Sequence, residues 1–179
     1  MKVALVGKMR SGKDTVGRFI YDNDPNGWQN QLAFGDEIKR IAKAYFPHIV
    51  SKGKPRKLYQ HIGQEFRKID PEVWVKALDR NLVDLMSRGE SNFVITDVRQ
   101  MNEYHYLKKQ GFTIVKVETA EELRMERLRK SGDEYEEADL YHETELAVEC
   151  IPYDYLVSNN TTLEDLYMQV EFIIKEEHQ

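Results

Sequence analysis

Apolar residues along this chain occur in two arrangements: short continuous runs, and longer segments that return every three or four positions. Val3-Ala-Leu-Val6 is a run too short for a buried helix and predicts a central β-strand. Asn92-Phe-Val-Ile-Thr-Asp97 is a second strand of the buried type and ends in an acid. Gln31-Leu-Ala-Phe34, Thr113-Ile-Val-Lys-Val-Glu118 and Asp154-Tyr-Leu-Val-Ser158 predict three more. Helical periods fill the intervals. Val16-Gly-Arg-Phe-Ile20 lies in a helix that starts near Gly12 and ends in the turn chemistry of Asp22-Asn-Asp-Pro-Asn-Gly27. Gly35-Asp36 opens a helix with Ile38, Ile41, Ala42 and Tyr45 on one face, which stops near Pro47. Leu58, Ile62 and Phe66, at i, i+4 and i+8, predict a helix from Leu58 to Ile69. Asp70-Pro-Glu72 supplies a capping residue, a proline at the first helical position and an acid in the first turn. Val73, Trp74, Ala77, Leu78, Leu82 and Leu85 carry that helix to about Ser87. Helices over 100–110 and 121–130, and from Thr162 to about Lys175, complete the pattern. Strands separated by helices imply parallel pairing with right-handed crossovers. The expected fold is an α/β three-layer sandwich with a five-stranded parallel sheet.

No repeat, low-complexity linker or composition break divides the 179 residues, which read as one domain with a substantial core. Apolar content of 41% with 32% charged residues is that of a soluble globular chain. The net charge of −5 argues against a general nucleic-acid binder, which carries a basic surplus. Phosphate chemistry needs only a locally basic pocket. The single Cys150 rules out an internal disulfide and a cysteine metal cluster, fits a reducing cytoplasm, and reads as a small packed residue. No apolar run approaches the ~20 residues of a membrane span, and the N-terminus reads as a strand, not a signal peptide.

Chemistry enters at Gly7, where the first apolar run stops. Gly7-x-x-x-x-Gly12-Lys13 has the spacing of a phosphate-binding loop. Its glycines let the backbone turn its N–H groups inward around an anion, and Lys13 adds a point charge. The position after Lys13, normally Ser or Thr, is Asp14, which can meet Mg²⁺ directly or through water. Thr15, on the first helical turn, offers a hydroxyl for a phosphate instead. Asp97, at the end of its strand, is a second acid for the metal or for a substrate hydroxyl, and Arg99 faces the same crevice two residues on. Arg56 and Arg67 flank a helix containing Gln60 and Gly63, and a guanidinium fork suits a phosphate dianion. Arg124 and Arg127 share a helix face by their spacing of three, with Arg129 nearby and Lys130 on the same row. Asp133-Glu-Tyr-Glu-Glu137 reads as a solvated acidic stretch. His142-Glu-Thr-Glu145 lacks a second histidine at ligand spacing, so no zinc site is expected. Phe34 and Trp74 are core or base-stacking residues, which the sequence does not separate.

In these residues the chain resembles the P-loop nucleoside-monophosphate kinases, most closely the deoxynucleoside-monophosphate kinases of bacteriophage type. The resemblance rests on Gly7-Lys-Met-Arg-Ser-Gly-Lys-Asp-Thr15, Phe34-Gly-Asp-Glu-Ile-Lys39, Arg56-Lys-Leu-Tyr-Gln-His-Ile-Gly63 and Asp70-Pro-Glu-Val-Trp74. It continues in Thr96-Asp-Val-Arg99 with Asn102-Glu103, and in Asp154 through Asn159. It implies transfer of the γ-phosphoryl group of ATP, with Mg²⁺, to the 5′-phosphate of a (deoxy)nucleoside monophosphate. Gly7, Arg10, Ser11, Gly12, Lys13, Asp14 and Thr15 would then bind ATP phosphates, Arg124 would close over the nucleotide, and Asn159 would lie near adenine. Phe34, Lys39, Arg56, Gln60, Arg67 and Trp74 would form the acceptor region, with Arg67 and Arg99 on the acceptor phosphate. Lys13, Asp97, Arg99 and Arg127 would be the catalytic set, and Asp14 and Asp97 the metal acids. A monophosphate-binding insertion over about 35–88 and a lid over about 120–146 would sit within the one domain. The expected partners are small-molecule nucleotides, with neither nucleic acid nor membrane; many relatives are homodimers, and the sequence leaves that open. Two alternatives stand beside this reading: a kinase of another small phosphate acceptor, of dephospho-coenzyme A or phosphomevalonate type, and a non-catalytic ATP sensor.

Overall fold

A computed structural model describes residues 1–23, 30–53, 55–131 and 143–177. Most of the turn expected at 22–27, the acidic stretch at 133–137 and His142 fall outside the described residues, as does the middle of the expected lid. The strands are β1 (Lys2–Val6), β2 (Asn30–Leu32), β3 (Phe93–Val98), β4 (Thr113–Glu118) and β5 (Tyr155–Ser158). They form one sheet in the order β2-β3-β1-β4-β5. β1 is central because Val3, Ala4, Leu5 and Val6 are all fully buried, so both faces of the strand need cover. It pairs in parallel with β3 (Val3↔Val94) and β4 (Val3↔Thr113), and β4 pairs in parallel with β5 (Val115↔Tyr155). All-parallel pairing forces crossovers through helices, which cover both faces of the sheet. The fold is therefore the expected three-layer α/β sandwich.

The chain divides into two compact units, one of residues 1–31 and 91–179 and one of Leu32–Glu90. The first contains α1 (Lys13–Asn23), α6 (Met101–Lys109), α7 (Glu121–Lys130), α8 (Glu143–Ala147), a 3-10 turn (Val148–Cys150) and α9 (Leu163–Glu177). One sheet face packs Val3, Leu5, Val94, Val115 and Val157 against Val16 and Ile20 of α1 and Leu166, Val170 and Ile173 of α9. Phe19 and Tyr167 stack across these two helices, with ring centroids 4.1 Å apart. Gly17 lets α1 press onto the sheet: a Cβ there would stand 3.0 Å from Cγ2 of Thr96 and 3.3 Å from Cδ1 of Leu5.

The Leu32–Glu90 unit is helical, with α2 (Asp36–Tyr45), α3 (Pro47–Val50), α4 (Arg56–Ile69) and α5 (Val73–Ser87). Ala42, Ile62, Trp74, Leu78 and Leu82 form its interior. Each fully buried Leu contributes about 2 kcal/mol of transfer free energy.

Several expectations are corrected. The second strand ends at Leu32, not Phe34, because the Ala33 N–H turns onto the Asp36 carboxylate (2.8 Å) at the start of α2. α3, α8 and the 3-10 turn went unpredicted, being too short to show a period. Cys150, expected to be packed, is exposed on that turn. Lys130 leaves the Arg124–Arg127 row and pairs with Glu126 on the exposed side of α7. No helix among the described residues is long and apolar enough to cross a membrane.

Candidate active site

The turn between β1 and α1 is built so that only glycine fits at two of its positions. A Cβ on Gly7 would lie 2.4 Å from the Val117 carbonyl oxygen, and one on Gly12 would lie 2.2 Å from Nδ2 of Asn159. Gly12 also has a φ of 98°, where other residues are strained. Arg10 adopts a φ of 64°, a left-handed conformation that costs a non-glycine residue about 1–2 kcal/mol. Strain of this kind persists only where the surroundings impose it. Here they do: the Ser11 carbonyl accepts from Oγ1 of Thr119 (2.8 Å) and Nδ2 of Asn159 (2.9 Å), tying the loop to the ends of β4 and β5. The Ser11 hydroxyl is buried without a hydrogen-bond partner among the described residues, a polar group suited to meeting a phosphate oxygen.

Lys13 folds back over this loop and donates from Nζ to the carbonyls of Gly7 (2.5 Å) and Lys8 (2.9 Å). Burial and the neighbouring Arg99 charge lower its pKa from 10.5 to about 8, against the opposing pull of Glu145, Asp14 and Asp97. The group therefore remains largely an ammonium at pH 7, held at a cost because the three carboxylates do not offset burial and Arg99. Two arginines of α7 reach the same loop. Arg124, itself buried, donates to the Met9 carbonyl (3.3 Å). Arg127 donates to Asn159 at both the backbone carbonyl (3.1 Å) and Oδ1 (3.2 Å) and reaches the Arg10 carbonyl (3.5 Å). Arg10 in turn donates to the Ser131 hydroxyl at the end of α7 (2.7 Å). Arg129, on the exposed side of α7, is not among these contacts. Beside the loop lies a cavity of about 290 Å³, lined in part by Lys8, Ser11, Lys116, Thr119, Arg124 and Glu149.

Arg99, just past β3, is held at both ends. Its N–H donates to Glu103 (2.8 Å), which also receives the Gln100 N–H (3.1 Å) and is 2% exposed. Its guanidinium pairs with the carboxylate of Glu145. The second oxygen of Glu145 accepts the Met9 N–H of the loop at 2.7 Å. Burial would raise the Glu145 pKa, but Arg99, the Met9 amide and Lys13 outweigh it and hold the group below the usual carboxylate range. Asp97 is half-buried in β3 and Asp14 is exposed on the first turn of α1. Both are close enough for their charges to act on Lys13, and Thr15 is half-buried beside them. Thus Gly7, Arg10, Ser11, Gly12, Lys13, Asp14, Asp97, Arg99, Arg124, Arg127 and Asn159 gather around one loop.

In the Leu32–Glu90 unit, Arg56, Gln60, Gly63 and Arg67 fall on one face of α4 by helical spacing. Gly63 is buried and lets Ile38 of α2 pack close to α4, since a Cβ would stand 3.3 Å from Cδ1 of Ile38 and 3.5 Å from Nη1 of Arg67. Lys39 is exposed and pairs with Asp36 (2.9 Å). The choice left open for Trp74 resolves toward the core. It is 1% exposed, stacks on Phe66 at 5.5 Å and donates its indole N–H to the Gly63 carbonyl (3.0 Å), so no ring face is left for a base. Phe34 is buried as well.

Residues 51–170 match the family model for deoxynucleotide monophosphate kinase. The chain belongs to the deoxynucleotide monophosphate kinase family. It is 27% identical over 122 residues to the deoxynucleotide monophosphate kinase of Escherichia phage RB69, covering 67% of this chain and 44% of that protein. It is 23% identical over 168 residues to that of Enterobacteria phage T4, covering 92% and 62%. The chain thus spans between two fifths and two thirds of the length of these phage relatives. Among solved structures, a gluconokinase from Sinorhizobium meliloti superposes with a TM-score of 0.61 at 15% identity, over 98% of this chain and 92% of that one. That likeness shows the shared P-loop kinase fold. Within this family member, Glu103 and Glu145 are the site residues that the sequence reading missed. Glu103 stands four residues beyond Arg99, at the third position of α6, where a carboxylate returning to cap the helix is a readable signal. Glu145 had no comparable signal, since its partners lie 46 and 136 residues away.

Proposed function

We propose that the chain transfers the γ-phosphoryl group of ATP to the 5′-phosphate of a deoxynucleoside monophosphate, giving the diphosphate and ADP. The observation that carries this reading is the convergence of Lys13, Arg99, Arg124 and Arg127 on a loop shaped to cradle an anion. Phosphoryl transfer is positioning plus neutralisation of spread charge, and four cations around a backbone cradle are suited to both. An oxygen of the acceptor phosphate attacks the γ-phosphorus while the bond to the ADP oxygen breaks. In this reading the loop from Gly7 to Thr15 holds the donor phosphates, Lys13 meets their developing charge, and Asn159 lies toward the adenine. Arg124 and Arg127 ride on α7 as a lid that excludes water and so suppresses hydrolysis of ATP. Arg99 meets the acceptor phosphate.

The Leu32–Glu90 unit, taken by itself, is the acceptor-recognising part. Lys39, Arg56, Gln60 and Arg67 are its recognition groups, with Trp74 and Phe34 supporting them from the interior. Asp14 and Asp97 fit Mg²⁺, an ion that retains waters and takes one or two carboxylates besides substrate phosphates. When bound, Mg²⁺ supplies charge neutralisation at the phosphates. The reading is of a cytoplasmic enzyme acting on free nucleotides.

The test is ADP release coupled to an indicator enzyme, with Mg²⁺, over the common nucleoside and deoxynucleoside monophosphates plus dephospho-coenzyme A and phosphomevalonate. Turnover on deoxynucleotides is expected. Turnover on either of the last two alone would move the acceptor class, and ATP binding without turnover on any acceptor would favour a sensor.

A further inference from the structure

Glu145 is 5% exposed in a short helix, whereas Leu146 next to it is 54% exposed. A carboxylate is costly to bury unless charges and hydrogen bonds replace its hydration. The replacements here are the Met9 amide, donating at 2.7 Å, and the guanidinium of Arg99, with the Lys13 ammonium adding its field. Each of these belongs to the cradle or to the cations around it. Carboxylate and phosphoryl oxygens ask for the same donors, and an amide has one hydrogen to give. While Glu145 holds the Met9 N–H, a phosphoryl oxygen has to displace it to reach that amide.

We propose that Glu145 is an internal stand-in for a phosphoryl oxygen, seated on Met9 and Arg99 until a nucleotide phosphate displaces it. The inference rests on the phosphoryl-transfer reading and adds to it a competing anion that sets nucleotide affinity. It also accounts for the burial of an acid inside a site otherwise built for anions: the carboxylate holds the Arg99 guanidinium and the loop amide in hydrogen bonds that align them. The displacing group is the terminal phosphate of the donor or the phosphate of the acceptor, and separate titrations distinguish them.

The experiment is calorimetric titration of the full chain with a non-hydrolysable ATP analogue plus Mg²⁺ and, separately, with the common deoxynucleoside monophosphates. Wild type is compared with Glu145→Gln and Glu145→Asp. Removing the competing charge should tighten one of the two ligand classes by roughly tenfold or more, the scale of one charge-assisted hydrogen bond. A gain confined to the ATP analogue assigns the displacement to the donor, and a gain confined to the monophosphate assigns it to the acceptor. Unchanged or weaker binding of both by Glu145→Gln overturns the proposal. Glu145→Asp keeps the charge but withdraws it by one methylene, so a smaller gain of the same sign is expected. If the Gln variant does not fold, unchanged or weaker binding by the Asp variant overturns the proposal instead. Neither titration requires turnover, so a wild type that binds ATP and transfers nothing would end the kinase reading while leaving this comparison legible.

Discussion

Replacing Lys13 by Met removes a buried ammonium that the fold holds at a cost. Burial, with the Arg99 charge behind it, lowers the Lys13 pKa from 10.5 to about 8. At 1.36 kcal/mol per decade, the charged form is disfavoured in the folded chain by about 3 kcal/mol. The unfolded chain binds this proton more tightly, so the penalty is fully present below about pH 8 and is relieved as pH rises toward 10.5. Met also gives up the hydrogen bonds to the Gly7 and Lys8 carbonyls, which offsets about 1–2 kcal/mol. The net expectation for Lys13→Met at about pH 7, without nucleotide or Mg²⁺, is a gain on the order of 1 kcal/mol. That advantage should vanish by about pH 10, where the remaining wild-type penalty, about 1 kcal/mol, no longer exceeds the hydrogen bonds that Met gives up. Urea unfolding followed by circular dichroism reads both, and titrations common to the two proteins cancel in the difference. Turnover should fall by roughly a hundredfold or more, as expected for loss of a cation on the transferred group. A variant less stable than wild type at neutral pH, with a difference that does not move with pH, would refute this account of the Lys13 environment.

Gly12→Ala forces a Cβ to within 2.2 Å of Nδ2 of Asn159 at a φ of 98°; a loss of about 2 kcal/mol or more in urea, together with lost ATP binding, is expected. Glu103→Ala strips the acceptor from the Arg99 and Gln100 N–H groups beneath a buried carboxylate. It should cost about 2–3 kcal/mol, and the Michaelis constant of the acceptor should rise as Arg99 loses its backbone anchor. Trp74→Phe keeps the stack on Phe66 but loses the indole bond to Gly63. Stability should fall by about 1 kcal/mol with acceptor affinity unchanged, whereas a role in stacking a base would weaken acceptor binding instead.

The parts of the fold legible in the sequence are those whose periods are local. β4 and α7 have the bounds that their patterns predict, because a β-branched apolar run in one and an unbroken series of helix formers in the other leave little competition. The glycine-lysine loop was legible because its spacing encodes a backbone path. β2 was read too long because Ala33 and Phe34 are buried without being strand: the Asp36 carboxylate takes the Ala33 amide, and apolar character alone cannot register that. Trp74 could not be settled from sequence because a buried ring and a base-stacking ring have the same local pattern; the difference is a hydrogen bond to Gly63, eleven residues back. The acid that engages Arg99 and the loop was invisible for a stronger reason. Glu145 meets them only after the sheet has brought three distant segments together, and in the sequence it stands out only as part of His142-Glu-Thr-Glu145, a stretch without the ligand spacing of a zinc site.

The central claim is phosphoryl transfer at the loop between β1 and α1, and the measurement that bears on it most directly follows the phosphate itself. The full chain is incubated with Mg²⁺, ATP labelled in its γ-phosphate and each deoxynucleoside monophosphate, and the products are separated. The account predicts label in the β-position of a deoxynucleoside diphosphate, abolished in Lys13→Met. Label that appears only as inorganic phosphate, or that stays on ATP with every acceptor, would contradict it.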